Sequence, residues 1–179
     1  YSIKNVTGLN LLPFVIYDDP FDIIAHLMVG SEGTLAFLSE VTMKTEHDYP
    51  YSASAMLYFS NIKDACRAVV AMKPGPVFSA ELLDKKSLAS VNDTTGTGLT
   101  AVLTETKADT PEEYSKYWAI RSGIFPSVGG TRRPGTTVLI EDVAFPLKEL
   151  PEATADLQEL LVTNEYHDAC IYGHALEGN

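Results

Sequence analysis

Gly30-Ser31-Glu32-Gly33-Thr34-Leu35 joins an apolar run, residues 23–29, to a strand-like run, residues 36–43. Two glycines and a serine around one carboxylate suit a turn in which backbone approaches a neighbour closely. Glycine has no Cβ, so a left-handed φ and tight contact cost little there. Backbone N–H groups in such a turn can face an anion or a flat heteroaromatic ring. The same pattern also serves as a plain helix-to-strand connector. The rest of the chain decides between the two.

Outward from this turn, the upstream segment reads as a helix. Asp19-Pro20 is a helix start, with Asp19 as N-cap and Pro20 at the first helical position. Phe21, Ile24, Leu27 and Met28 fall on one face, and Gly30 ends the helix. Residues 1–17 alternate loosely around a turn at Thr7-Gly8-Leu9. Downstream, a strand is expected over 36–44, and polar, proline-marked His47-Asp48-Tyr49-Pro50 marks a domain boundary.

Beyond the boundary, residues 52–59 read as a strand. Asn61 caps a helix whose stripe is Ile62, Ala65, Cys66, Val69 and Val70, and Pro74-Gly75-Pro76 breaks it. Residues 77–83 are strand-like, Asp84 caps a short helix to Val91, and 92–98 form a Gly/Thr-rich loop. Residues 99–106 are β-rich. Thr110 and Glu113 make a capping box for a helix running to about Ser122. Residues 125–135 read as irregular, 137–145 as a strand closed by Pro146, and 147–161 as an amphipathic helix with Leu150, Ala153, Leu157 and Leu160 on its stripe. A last strand, 167–172, leads into Gly173-His174-Ala175-Leu176-Glu177-Gly178-Asn179. Strands and helices alternate without the apolar runs of a parallel sheet. The expected class is α+β, a mainly antiparallel sheet with helices on one face, ferredoxin-like in style.

Composition narrows the function. The chain has 179 residues, 24 acidic against 13 basic, for a formal net charge of -11. That balance disfavours nucleic acid or an anionic membrane as partner. Arg121, Arg132 and Arg133 are the candidates for a local anion-binding cluster. Cys66 and Cys170 stand apart with no C-x-x-C, so no iron–sulfur or zinc-finger ligand set is present here. Lone cysteines fit buried thiols in a reducing compartment. No apolar run is long enough to span a bilayer, and the expected location is cytoplasmic, peripheral to an inner membrane if membrane-associated. The start without Met and the stop just after a glycine motif suggest a piece of a longer protein.

Four stretches stand in order: Lys4-Asn5-Val6-Thr7-Gly8, Gly30-Ser31-Glu32-Gly33-Thr34-Leu35, Glu141-Asp142-Val143-Ala144-Phe145-Pro146, and Gly173-His174-Ala175-Leu176-Glu177-Gly178-Asn179. Together they resemble the FAD-linked oxidase family that acts on D-2-hydroxy acids. That family includes flavin D-lactate dehydrogenases, the glycolate oxidase flavin subunit and D-2-hydroxyglutarate dehydrogenase. The pattern is most similar to bacterial forms fused to an iron–sulfur region. The resemblance implies that residues 1–46 end an FAD-binding domain of the vanillyl-alcohol-oxidase type. Residues 47–179 are then the first part of the substrate-binding cap.

The resemblance also implies roles. Gly30, Ser31, Glu32, Gly33 and Thr34 lie along the flavin, with Thr7 and Gly8 as a second flavin-side stretch. Ala36 stands where many relatives have glycine. Arg121 matches a carboxylate clamp, a task that suits the guanidinium fork; an exposed arginine in the last helical turn is the other reading. Arg132 and Arg133 are candidates for a second anionic group. His174 matches a ligand of a divalent metal, zinc or manganese, beside the substrate hydroxyl. Glu177 replaces a common aspartate, and no lysine stands near Ile140 where some relatives carry one. His26, His47 and His167 match nothing and are taken as structural or exposed.

The implied activity is oxidation of a D-2-hydroxy acid, D-lactate or D-2-hydroxyglutarate in class, to the 2-oxo acid by hydride transfer to FAD. Arg121 and His174 are the catalytic candidates. The implied partners are that small acid and an electron acceptor, whether an iron–sulfur region, a quinone or an electron-transfer protein. Two alternatives stay open: a noncatalytic binding or assembly module that kept the fold, and an FAD oxidase of an alcohol or sugar acid.

Overall fold

The computed structural model describes residues 5–6, 8–47, 49–51, 53–95, 106–108, 111–139 and 142–179. It opens with two short helices, α1 (Pro13–Ile16) and α2 (Pro20–Leu27). Asp19 caps α2 as expected, its Oδ1 accepting from the Phe21 N–H at 2.7 Å. The expected inward face of α2 is not buried: Phe21 is 82% and Ile24 56% exposed. Residues 36–44 are not a strand. Among the described residues this segment meets no strand to pair with, and a lone extended segment leaves its N–H and C=O groups without a ladder.

The strands that form are short. β1 (Ser54–Met56) pairs antiparallel with β3 (Thr106–Ala108). β2 (Glu81–Leu83) pairs antiparallel with β4 (Tyr172–His174), with Glu81 opposite His174, Leu82 opposite Gly173 and Leu83 opposite Tyr172. The class is therefore α+β and antiparallel as expected, with the described strands arranged as two separate pairs. The longer runs 52–59, 77–83 and 167–172 contribute only where a partner lies alongside. β4 in particular starts at Tyr172 and takes in Gly173 and His174, the first two residues of the glycine motif. Residues 137–139 and 142–145 are also not strand; Phe145 makes a single loop bond, its N–H donating to the Gly178 carbonyl at 2.8 Å. The Gly/Thr-rich residues 96–98 and the cap at Thr110 lie outside the described residues.

The helices carry the packing. α3 (Ile62–Met72) starts at Asn61, whose Oδ1 accepts from the Asp64 N–H at 2.8 Å. The Asn61 side chain, and beside it Arg67, hold the Asp64 carboxyl below its usual range. α4 (Lys85–Thr95) starts at Asp84, whose Oδ1 accepts from the Ser87 N–H at 2.7 Å and from its hydroxyl at 2.6 Å. This cap is buried and satisfied. α4 runs past the expected end at Val91, through residues expected to be loop.

α5 (Pro111–Thr131) differs most from expectation. It continues ten residues beyond Arg121, through Pro126, Gly129 and Gly130. Proline deprives the Ser122 carbonyl of its helical donor, and glycine is a poor helix former. Packing overrides both, because Ile124 and Ser127 are buried in this second half and Val128 packs beside Ile124. A 3-10 turn (Leu147–Glu149), α6 (Leu150–Thr163), β4 and a second 3-10 turn (Ala175–Glu177) complete the order.

Two apolar clusters lie on opposite faces of the β2–β4 pair. On one side Leu82 meets Cys66 and Val69 of α3, Leu150 of α6, Ala175 and Leu176. On the other, Leu83 and Tyr172 meet Leu88 and Val91 of α4 and Ile120, Ile124 and Val128 of α5. Each large aliphatic side chain fully buried this way contributes about 1.5–3 kcal/mol. Strand alternation thus sends Leu82 one way, and Glu81 and Leu83 the other.

The glycine motif is locked by close approach. The segment 142–146 lies against 173–179: Asn179 Nδ2 donates to the Val143 carbonyl at 2.9 Å. A Cβ on Gly173 would stand 2.6 Å from the Asn179 carbonyl oxygen, and one on Gly178 (φ +79) 2.1 Å from that of Phe145. Gly135 (φ +82) is equally left-handed but has open space around it. Gly135→Ala should therefore cost only the backbone term of about 1–2 kcal/mol. Gly178→Ala adds a backbone clash and should cost clearly more, upward of about 2 kcal/mol. Urea unfolding midpoints of the two variants measure the difference, and equal midpoints would contradict this packing.

Candidate functional site

The Gly30–Thr34 turn is built from unusual backbone. Gly30 (φ +82), Glu32 (φ +51) and Gly33 (φ +74) are all left-handed. For Glu32 that conformation is strained by about 1 kcal/mol. Ser31 is 5% exposed and forms the hub. Its N–H donates to the Met28 carbonyl at 3.2 Å, and its own carbonyl accepts from the Thr34 N–H at 2.9 Å and the Thr34 hydroxyl at 2.6 Å. A Cβ on Gly30 or Gly33 would meet nothing within 4 Å. Glycine is needed there for φ, and the backbone is left bare toward the outside. Beside it lies an open hollow of about 350 Å³ lined by Met28, Ser31, Glu32, Gly33, Ala36, Phe37 and Leu38. An apolar wall with a few polar groups and exposed backbone suits a flat heteroaromatic ring. Gly8 is also left-handed (φ +67), its carbonyl accepting from the Asn5 side chain at 3.3 Å. No hydrogen bond among the described residues joins it to the Gly30–Thr34 turn, and Thr7 lies outside them.

The two expected catalytic residues come together, and a third residue joins them. Glu81 of β2 sits between Arg121 of α5 and His174 of β4. Its Oε2 accepts from Arg121 Nε at 2.7 Å, and its Oε1 lies 2.6 Å from His174 Nδ1. The Arg121 guanidinium also lies over the Tyr172 ring, 5.0 Å from its centroid, a cation–π contact. The side chains of Glu81 and Arg121 are 16% and 22% exposed, that of His174 49%. The carboxylate is thus the floor of the cluster and the imidazole its rim.

This arrangement fixes what each group offers. An ionised carboxylate only accepts, so the ring donates through Nδ1, and in the neutral ring the lone pair then lies on Nε2, on the far side. Arg121 spends its Nε–H on Glu81, which leaves the paired terminal N–H groups of the fork. One carboxylate thereby holds a guanidinium and an imidazole in a single patch. Arg121 is not a last-turn arginine, since α5 extends well beyond it, and this removes the helix-terminus reading.

The other arginines do not join. Arg132 follows Arg121 by eleven residues, about 16 Å along a helix axis. Its Nε donates to the Thr136 carbonyl at 2.9 Å and its NH1 to the Gly129 carbonyl, so it caps the end of α5. Arg133 is exposed. Among the remaining histidines, His26 stacks on Tyr17 and His47 meets Tyr49 edge-on. Cys66 is buried against Thr154, and burial pushes its thiol up; burial does the same to Cys170. Among the described residues no three His, Cys, Asp or Glu converge as a metal-binding group. Of the several donors a metal needs, this patch offers one, His174 Nε2, with Glu81 behind the ring.

Glu81 is the residue that sequence reasoning missed. Its signal is an ionisable side chain inside a strand-like run, residues 77–83, three residues before the Asp84 cap. No helix of the described residues is long and apolar enough to cross a membrane.

The chain is 26% identical over 194 residues to "D-lactate dehydrogenase [cytochrome], mitochondrial" of Arabidopsis thaliana, an alignment covering 87% of this chain and 33% of that protein. It therefore spans about a third of the length of this relative. No solved structure matches. The C-terminal domain of FAD linked oxidases matches over residues 50–103 and 98–179. The two matched segments cover most of the sequence: the chain belongs to the FAD linked oxidases and matches their C-terminal domain.

Proposed function

We propose that the protein carrying this chain is an FAD-dependent dehydrogenase that oxidises a D-2-hydroxy acid to the 2-oxo acid. The observation that carries this reading is the single carboxylate, Glu81, holding Arg121 and His174 side by side. A 2-hydroxy acid has its carboxylate and hydroxyl on adjacent carbons, so it needs an anion clamp and a hydroxyl-side group close together. The terminal N–H groups of Arg121 hold the carboxylate in bidentate fashion. His174 Nε2 faces the hydroxyl and accepts its proton as the C2–H leaves. FAD, when bound, takes the hydride. Were a divalent metal bound here, His174 Nε2 would be its ligand instead of the proton acceptor, and the metal would polarise the hydroxyl.

Residues 1–46 are the end of the flavin-binding domain and 47–179 part of the substrate cap. Gly30, Ser31, Glu32, Gly33 and Thr34 face the flavin ring with bare backbone, and Thr7 and Gly8 form a second flavin-side turn. The relative's name supports D-lactate as the first substrate to try and a cytochrome-type protein as electron acceptor. D-2-hydroxyglutarate is the second substrate of the same class.

Anaerobic addition of D-2-hydroxy acids to the full-length protein should bleach its flavin, with the D enantiomer of lactate faster than the L. Bleaching by neither enantiomer nor by any other D-2-hydroxy acid would overturn the reading. Arg121→Lys keeps the charge and loses the fork. Losing one charged hydrogen bond of about 1.5–3 kcal/mol lowers kcat/KM roughly tenfold or more. The flavin-to-protein absorbance ratio should stay at its wild-type value. Unchanged kcat/KM would remove Arg121 from the site.

A further inference from the structure

We propose that Glu81 is the positioning residue of this site, setting the tautomer of His174 while it anchors Arg121; the proposal rests on the dehydrogenase reading above. The geometry divides the two oxygens cleanly: Oε2 takes Arg121 Nε at 2.7 Å and Oε1 takes His174 Nδ1 at 2.6 Å. Neither donor can be satisfied by the other, because both carry N–H groups. Only a group with two acceptors can stand between them.

The consequence is specific to the carboxylate. In Glu81→Gln the side chain keeps its shape but offers one carbonyl oxygen and one NH2. Arg121 cannot become an acceptor, so the amide oxygen goes to Arg121 and the NH2 to His174. His174 Nδ1 must then accept, and the ring proton moves to Nε2. That places an N–H where the proton acceptor, or metal ligand, was needed. Loss of the carboxylate behind a working histidine acts in this way elsewhere, with geometry kept and the wrong tautomer formed. Glu81→Asp keeps two acceptors but is one methylene shorter, so it preserves the tautomer and loosens the aim.

The burial pattern agrees. Glu81 is the least exposed of the three side chains, at 16%, and lies beneath the half-exposed imidazole. It touches the groups that would meet substrate from behind, and so acts through them.

The test uses the full-length protein with 15N-labelled histidine, in which two-bond 1H–15N spectra tell a protonated ring nitrogen from one bearing a lone pair. His174→Asn identifies the signal by its loss. In chelator-treated wild type, with the ring neutral, the proton should sit on Nδ1; in chelator-treated Glu81→Gln it should sit on Nε2. With D-lactate as substrate, kcat of Glu81→Gln should fall about 10–100-fold, while KM, set by Arg121, moves far less. Glu81→Asp should keep the Nδ1 proton and lose part of kcat. A wild-type tautomer in Glu81→Gln overturns the proposal. So does a wild-type kcat in Glu81→Asp, which carries the test if Glu81→Gln does not fold. The spectra require no turnover, so they decide the role of Glu81 even if no D-2-hydroxy acid reduces the wild-type flavin.

Discussion

Glu81 lies opposite His174 in a ladder three residues long, and the rest of the site follows from that register. Side chains alternate along a strand, so a slip of one residue would exchange the two faces. Leu82 would leave the cluster formed with Cys66, Val69 and Leu150, and Glu81 would enter it. An ionised carboxylate in that apolar cluster would lack both its partners, which is strongly unfavourable. The register that buries Leu82 is therefore the register that brings Glu81, Tyr172 and His174 to the α5 side. Core packing and site assembly are the same event in this chain.

α5 supplies the other half of the constraint. Ile120 and Ile124 pack into the second cluster, and Arg121 follows Ile120 by one residue, which swings it to the edge where Glu81 stands. The pair is partly buried, so its attraction is screened less than that of a surface bridge. The tight turn of the glycine motif fixes the other side. Gly173 leaves room for Asn179 and Gly178 for Phe145, so residues 173–179 turn tightly and lie against residues 142–146. The motif's glycines thus serve backbone packing, while its histidine reaches Glu81.

Local signals in the sequence were legible and distant ones were not. Asp19, Asn61 and Asp84 announce their helices because a cap depends only on the next few residues. Arg121 and His174 stood out through motif resemblance. Glu81 did not, because its role arises from partners 40 and 93 residues away. Strand limits failed for the same reason: 36–44 and 167–171 have strand-like residues, but a ladder needs a neighbour in space. Pro126 and Gly129-Gly130 argued for an irregular segment, and buried Ile124 and Ser127 outweighed them. The left-handed turn at Gly30 and Gly33 was expected from its glycines; the left-handed Glu32 between them was not.

The central claim is that Arg121 and His174, set by Glu81, hold the two ends of one small acid. A crystal structure of the full-length flavoprotein with a bound 2-oxo acid tests it most directly. The account expects the carboxylate on the terminal N–H groups of Arg121, the 2-oxo oxygen on the Nε2 side of His174, and Glu81 still between the two residues. A 2-oxo acid seated against the flavin but away from both Arg121 and His174 would contradict it.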